Sequence, residues 1–292
     1  MIFLTTTNIV VVTERLFSGY PVLSLQEPPM KQRILIVGAG FAGMWSALSA
    51  VRQLDRQGRD DVEVAVLAPQ PELRIRPRFY EPDVQRMAAP LGELFAAVGV
   101  RFVQGSAQRI DVAGKWVEYR DAEGVTLDDG QRIEAKTVVW TVGVRASTLT
   151  GQIPGERDAQ GRLHVDRNLK VLGLDDVYAT GDVARAATDD LGNHALMTCQ
   201  HAIALGRSAG NNVAADLLGV EPIPYSQVKY VTCLDLGGWG AVFTEGWDRQ
   251  VRFVREEGKK IKTEINGVWI YPPAADRAVA LAAADPLIPV VA

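Results

Sequence analysis

The clearest pattern in the chain is the aliphatic run Ile34-Leu35-Ile36-Val37 followed by Gly38-Ala39-Gly40-Phe41-Ala42-Gly43. A short unbroken apolar run bounded by glycine predicts a parallel strand buried on both faces. Met44 to Leu54 continues as a helix, and Val62 to Leu67 supplies a second strand, completing a β-α-β unit. In such a turn the first glycine permits the tight bend and the second lets the backbone approach a pyrophosphate. The third lets the helix pack closely on the strand. The first N–H groups of the helix and its positive dipole end both favour negative charge there. Residues 33–54 are therefore read as a dinucleotide-binding strand-loop-helix, with Gly38, Ala39, Gly40, Phe41, Ala42 and Gly43 at the ligand. The acidic residue that normally ends the second strand and takes the ribose hydroxyls is replaced by Ala68-Pro69. Glu63 comes too early, which leaves Glu72 or backbone groups for that role.

Further along, Val100 to Val103, Trp116 to Tyr119 and an Asp129-Gly130 turn predict a short antiparallel meander. Two apolar runs, Val138 to Gly143 and Val177 to Gly181, read as strands ending at glycine. Thr198-Cys199-Gln200-His201-Ala202 opens a long helix in which Ile203, Gly206, Gly210, Val213 and Leu217 recur at spacings of three and four. Trp239, Trp247 and Trp269 follow at irregular spacing, as packing aromatics do.

Composition narrows the picture. At 292 residues with 47% hydrophobic and 23% charged content, the chain can bury one large core or two modest ones. A formal charge of −4 argues against a general nucleic-acid binder, which needs a basic surface to displace counterions. The two cysteines, Cys199 and Cys233, are too far apart for a CxxC pair and too few for a secreted disulfide framework. That predicts a cytoplasmic protein. Charge, Gly or Pro interrupts every apolar run before the 18 or so residues that a membrane helix needs. Residues 1–29 lack a cationic start and a cleavage site, so they read as a leader or tail preceding a native start at Met30.

From Met30 onward these motifs together resemble FAD-dependent pyridine nucleotide-disulfide oxidoreductases, and within them the type II NADH dehydrogenase-like branch. The segment Ile75-Arg76-Pro77-Arg78-Phe79-Tyr80-Glu81 looks like the branch's arginine-containing stretch near the flavin, which points to Arg78. Val138-Val139-Trp140-Thr141-Val142-Gly143 resembles its strand-terminating Ala-Thr-Gly element. Thr180-Gly181-Asp182 resembles the Gly-Asp pair that closes the flavin site. The resemblance implies that Gly143, Gly181 and Asp182 bind FAD, with Gln200 and His201 at the helix start beside the flavin ring. Residues 225–285 resemble the branch's smaller C-terminal domain. The fold implied is α/β, with an FAD-binding Rossmann-type domain at 30–220 carrying an antiparallel meander and a small α+β domain at 221–292.

The resemblance also implies flavin-mediated two-electron transfer from NAD(P)H to quinone or another small-molecule acceptor. No side chain is assigned as nucleophile, and no metal site is expected. The branch's quinone-reducing Ala-Gln-x-Ala-x-Gln pattern is only partly kept, by Gln200 and Ala202, with Cys199 and Ala204 at other positions. No second GxGxxG occurs, so the inserted NAD(P)H-binding domain is read as deleted near 120–130. This leaves a truncated, non-catalytic FAD-binding protein as the alternative. Peripheral contact at the inner face of a membrane is implied by the branch, although Leu287-Ile288-Pro289-Val290-Val291 is too short for an interfacial helix. The C-terminal aromatics also offer a surface for a homodimer.

Overall fold

The computed structural model describes residues 8–13, 32–79, 81, 83, 86–111, 116–120 and 145–290. The Asp129-Gly130 turn, the Val138–Gly143 strand with its Gly143, the junction expected over 121–130, and most of residues 1–29 lie outside them. The central sheet is built from β1 (Asn8–Thr13) and β2 (Gln32–Val37), with α1 (Phe41–Arg56) leading from β2 to β3 (Val62–Ala68). A small ladder of β4 (Glu72–Arg74) and β5 (Ala88–Pro90) follows, then α2 (Gly92–Val98) and β6 (Arg101–Gln104). The expected meander is met only in part: β8 (Trp116–Arg120) pairs antiparallel with β7 (Ser106–Asp111), whereas the Val100–Val103 segment expected in it forms β6, which joins the central sheet parallel to β3. After β9 (Leu163–His164), β10 (Val177–Gly181) returns to the sheet, and β11 (Ala184–Arg185) pairs with β9.

The sheet order is β10-β1-β2-β3-β6. Strands β2, β3 and β6 run parallel in register, with Ile34 opposite Val64 and Val66 opposite Phe102. Because strand side chains alternate between faces, the aliphatic run feeds two cores. Ile34, Ile36, Val64 and Val66 pack under the helices, while Leu35, Val37, Ala65 and Leu67 meet Ile110, Ile153 and Leu163 on the other face. This explains the absence of polar alternation in the sequence. Strand β1, from the segment read as a tail, lies antiparallel between β2 and β10, with Val11 opposite Ile36 and Val10 opposite Ala179.

The long helix α3 (Cys199–Leu218) packs along α1. Gly206 and Gly210 make the approach close, since a Cβ at Gly210 would lie 2.8 Å from the Cα and carbonyl carbon of Ser46. The Ser46 hydroxyl donates to the Gly206 carbonyl at 3.0 Å, where the helices meet. Beyond α3, β12 (Val231–Asp235), β13 (Ala241–Glu245) and β14 (Gln250–Val254) form an antiparallel sheet covered by α4 (Arg255–Glu264). A final helix, α5 (Arg277–Ala283), packs against α1 and α2. Arg277 donates to both carboxylate oxygens of Asp55, at 2.7 and 2.8 Å, and Arg52 is paired with Asp285.

Candidate flavin site

Sharp local geometry marks the β2–α1 loop. Gly38 adopts φ +107°, a conformation open to glycine at little cost, and its N–H donates to the Leu67 carbonyl at 2.8 Å. That bond locks the loop onto the end of β3. Gly40 is the N-cap of α1 and has no side chain to cap it, while its carbonyl accepts the Met44 N–H at 2.9 Å. The first N–H groups of α1 therefore keep their capacity for an anion. Ala39, Phe41 and Ala42 are buried and seat the loop in the core.

Beside α1 opens a cavity of about 760 Å³, lined by Phe41, Arg76, Asp182, Thr198 and Gln200 among others. It brings together Phe41 at the start of α1, Asp182 after β10 and the start of α3. Gly181 turns at φ +68° at the end of β10, and Asp182 follows at 5% exposure. The Asp182 carboxylate accepts from Arg76 at 2.8 Å, a charge-assisted bond to a nearly buried anion. The Thr198 hydroxyl accepts the His201 N–H at 3.4 Å and so caps α3 with the helix start facing the cavity.

The remaining expected site residues are engaged elsewhere. Arg78 lies in the same tight turn as Arg76, but it donates to Glu81 at 2.8 and 2.9 Å and to the Tyr271 hydroxyl at 2.6 Å. The Glu81 hydrogen bonds hold its guanidinium protonated well above the ordinary range. Arg76, two residues earlier, is the arginine that reaches Asp182. The Gln200 amide lines the cavity while it donates to the Val231 carbonyl at 3.0 Å and accepts the Val231 N–H at 3.3 Å. His201 is fully buried beneath the helix start. Its ring lies 5.5 Å from Tyr230 and 5.9 Å from Trp247, and its Nδ1 is 3.0 Å from the Thr198 hydroxyl. Desolvation lowers its pKa to about 4. Glu63 pairs with Arg33, and Glu72 lies 3.5 Å from Arg74. Trp247 stacks on Tyr230 at 4.6 Å, whereas Trp239 and Trp269 are exposed. Among the described residues no cluster of three or more His, Cys, Asp or Glu side chains could hold a metal ion, and no helix is long and apolar enough to cross a membrane.

A sequence model of the pyridine nucleotide-disulphide oxidoreductase family matches residues 21–206, well over half of the chain. The chain belongs to that family. On its NADH dehydrogenase-like side, the family includes NADH dehydrogenase-like protein Rv1812c of Mycobacterium tuberculosis. That relative is 48% identical over 167 residues, which span 56% of this chain and 41% of the relative. The demethylphylloquinone reductase NdbB of Synechocystis is 27% identical over 215 residues, covering 73% of this chain and 49% of that protein. The chain thus matches less than half the length of these two relatives. The sulfide:quinone oxidoreductase structure of Aquifex aeolicus superposes with a TM-score of 0.59 at 11% identity, over 82% of this chain and 90% of that one. This last likeness is one of fold. The α/β class and Rossmann-type core expected from the glycine motif agree with both family and fold.

Proposed function

We propose that the chain is an FAD-dependent, NADH dehydrogenase-like oxidoreductase that carries two electrons from NAD(P)H to a quinone or similar small acceptor. The observation that carries this reading is the convergence on one cavity of the α1 start, Asp182 and the α3 start. These groups fit FAD. The tight Gly38 turn and the uncapped α1 start suit a pyrophosphate, Asp182 suits a polyol hydroxyl, and the apolar wall suits a flat ring system. The flavin, when bound, supplies the electron chemistry. The chain's own part is to hold, tune and shield it. Arg76 keeps the Asp182 carboxylate oriented, Thr198 and Gln200 fix the α3 start, and the α3 dipole favours negative charge at its N-terminus. Phe41, Ile203, Phe243 and Ile270 give the cavity an apolar wall. The mostly apolar lining, together with NdbB among the relatives, supports a quinone as acceptor.

The alternative is a truncated, non-catalytic FAD-binding protein, and the lack of a second GxGxxG in the sequence favours it. Purified protein reconstituted with FAD decides between them. Bleaching of the flavin by NADH or NADPH under anaerobic conditions supports the enzyme, and persistent oxidised colour supports the non-catalytic protein. A colourless preparation that takes up no FAD would refute both.

A further inference from the structure

After α5 the chain runs without regular secondary structure through residues 285–290 and reaches the cavity, which Pro289 and Val290 help to line. Two arginines fasten this strap to the helices. Arg52 of α1 pairs with Asp285, and Arg207 of α3 donates from Nη1 to the Ile288 carbonyl at 3.2 Å. The Asp285 carboxylate also accepts the Leu287 N–H at 2.9 Å, which shapes the turn between the two anchors. Arg207 is itself seated on Trp45, its guanidinium carbon 4.1 Å from the ring centre in a cation–π arrangement. One turn earlier on α3, Ile203 lines the cavity, so the Arg207 anchor stands within a helical turn of the wall that Pro289 and Val290 complete.

The Arg207 anchor is held at a desolvation cost. The residue is 8% exposed, and its Nε has no hydrogen-bond partner. A buried cation with an unsatisfied N–H regains solvation when it reaches water, and burial accordingly pulls its pKa down to about 10 while Asp285 pulls the other way. On the strap, Leu287 and Ile288 are exposed, and Val290 packs on the main core. Release of the strap therefore gives up the Val290 contacts and rehydrates one guanidinium.

We propose that residues 285–290 form a releasable strap over the cavity and that Arg207 is the positioning residue that latches it. With the latch made, Pro289 and Val290 complete the apolar wall. With it broken, the strap swings from the end of α5, where Ala284 is fully buried, and a flat apolar guest can enter. Naming that guest as the electron acceptor rests on the proposed function, whereas the latch rests on the wall alone.

The test uses the full chain without added flavin and takes the thiol of Cys199, which lines the cavity, as reporter. Cys233→Ser in every sample leaves Cys199 as the one thiol in the sequence. Pyrenylmaleimide, a flat apolar reagent, is added in native buffer at one pH, and the adduct is followed by fluorescence. Arg207→Leu and Asp285→Ala should each speed labelling by at least about tenfold, the population shift that loss of one charge-assisted hydrogen bond brings. Asp285→Ala leaves Arg207 seated on Trp45, so it keeps the test decisive if Arg207→Leu folds poorly. Arg207→Lys, which retains a donor and a charge, should restore most of the protection. Hydrogen exchange should rise at Leu287, Ile288 and Val290 while α1 and β2 keep their rates. Asn212→Ala, which weakens the fold away from the strap, should leave labelling slow. Unchanged labelling in both strap variants, equal acceleration by Asn212→Ala, or exchange rising evenly through the chain would overturn the proposal. No flavin reduction is read, so failure of the oxidoreductase reading registers separately.

Discussion

Replacing Gly210 with alanine adds one methyl group where α3 touches α1. The added carbon would stand 2.8 Å from the Cα and carbonyl carbon of Ser46 and closer still to the carbonyl oxygen. Carbon atoms at optimal contact are about 3.5–4.0 Å apart, so the helices must part by roughly 1 Å. The obstacle is backbone, which cannot rotate aside as a side-chain tip would. Overpacking of this kind costs about 1–3 kcal/mol, and straining the Ser46–Gly206 hydrogen bond adds about 1 kcal/mol. Intrinsic helix propensity acts the other way, favouring alanine by about 1 kcal/mol. The net expectation is a destabilisation of about 1–3 kcal/mol, or a fall in Tm of roughly 2–10 °C for a domain of this size. Because α1 begins at the glycine loop and α3 at the cavity, FAD retention should fall as well. Calorimetry or thermal circular dichroism measures the first effect and flavin fluorescence release the second. Gly92→Ala is the control, since a Cβ there meets nothing within 4 Å. An unchanged or raised Tm in Gly210→Ala would mean that propensity wins and that the close approach is not structural.

Arg76→Ala removes the guanidinium facing the nearly buried Asp182. Since Arg76 is partly exposed, the expected cost is about 1–3 kcal/mol, read as a lower urea midpoint, and an unchanged midpoint would deny the pair its role. Asn212→Ala strands the Ile223 N–H and the carbonyls of Asn168 and Ile223, which the Asn212 amide meets at 2.9–3.1 Å. About 2–4 kcal/mol should be lost, and a chemical-denaturation curve matching wild type would refute it. His201, with its folded pKa near 4, stays neutral in the native state while the unfolded chain binds a proton below about pH 6.5. Stability therefore falls as pH drops from about 6.5 to 4, by about 3 kcal/mol in all. His201→Gln should flatten that part of the stability profile, and an identical acid slope in both proteins would exclude desolvated His201 as its source.

The parts of the molecule that were legible in the sequence are those fixed by local pattern. Ile34-Leu35-Ile36-Val37 could hardly be anything but a strand with two buried faces, and the loop after it needs glycine where φ reaches +107°. The three- and four-residue spacing through Gly206 and Gly210 likewise marks the α3 face that meets α1. What the sequence hid depends on the third dimension. Arg76 and Arg78 differ by two positions, and only the turn decides which one meets Asp182 and which one ties Glu81 to Tyr271. Gln200 shows its polar character plainly, yet its engagement with Val231 depends on where β12 comes to rest. Cys199 and Cys233 are far apart along the chain and line one cavity only because the start of β12 comes to lie beside the start of α3. Asn8–Thr13 carries a readable strand pattern, but its place in the sheet depends on partners at 34–36 and 177–181.

The position of β1 bears on how the protein is made. Its partner β10 is encoded about 170 residues later, so at a synthesis rate of 5–20 residues per second β1 waits about 10–30 s for its second neighbour to emerge. During that interval β2 and β3 can assemble with α1 from local sequence, while an apolar strand edge beside β2 stays open to any extended segment that arrives first. A chaperone that occupies nascent apolar segments should therefore raise the yield of folded chain, and slower translation should lower it when that chaperone is scarce.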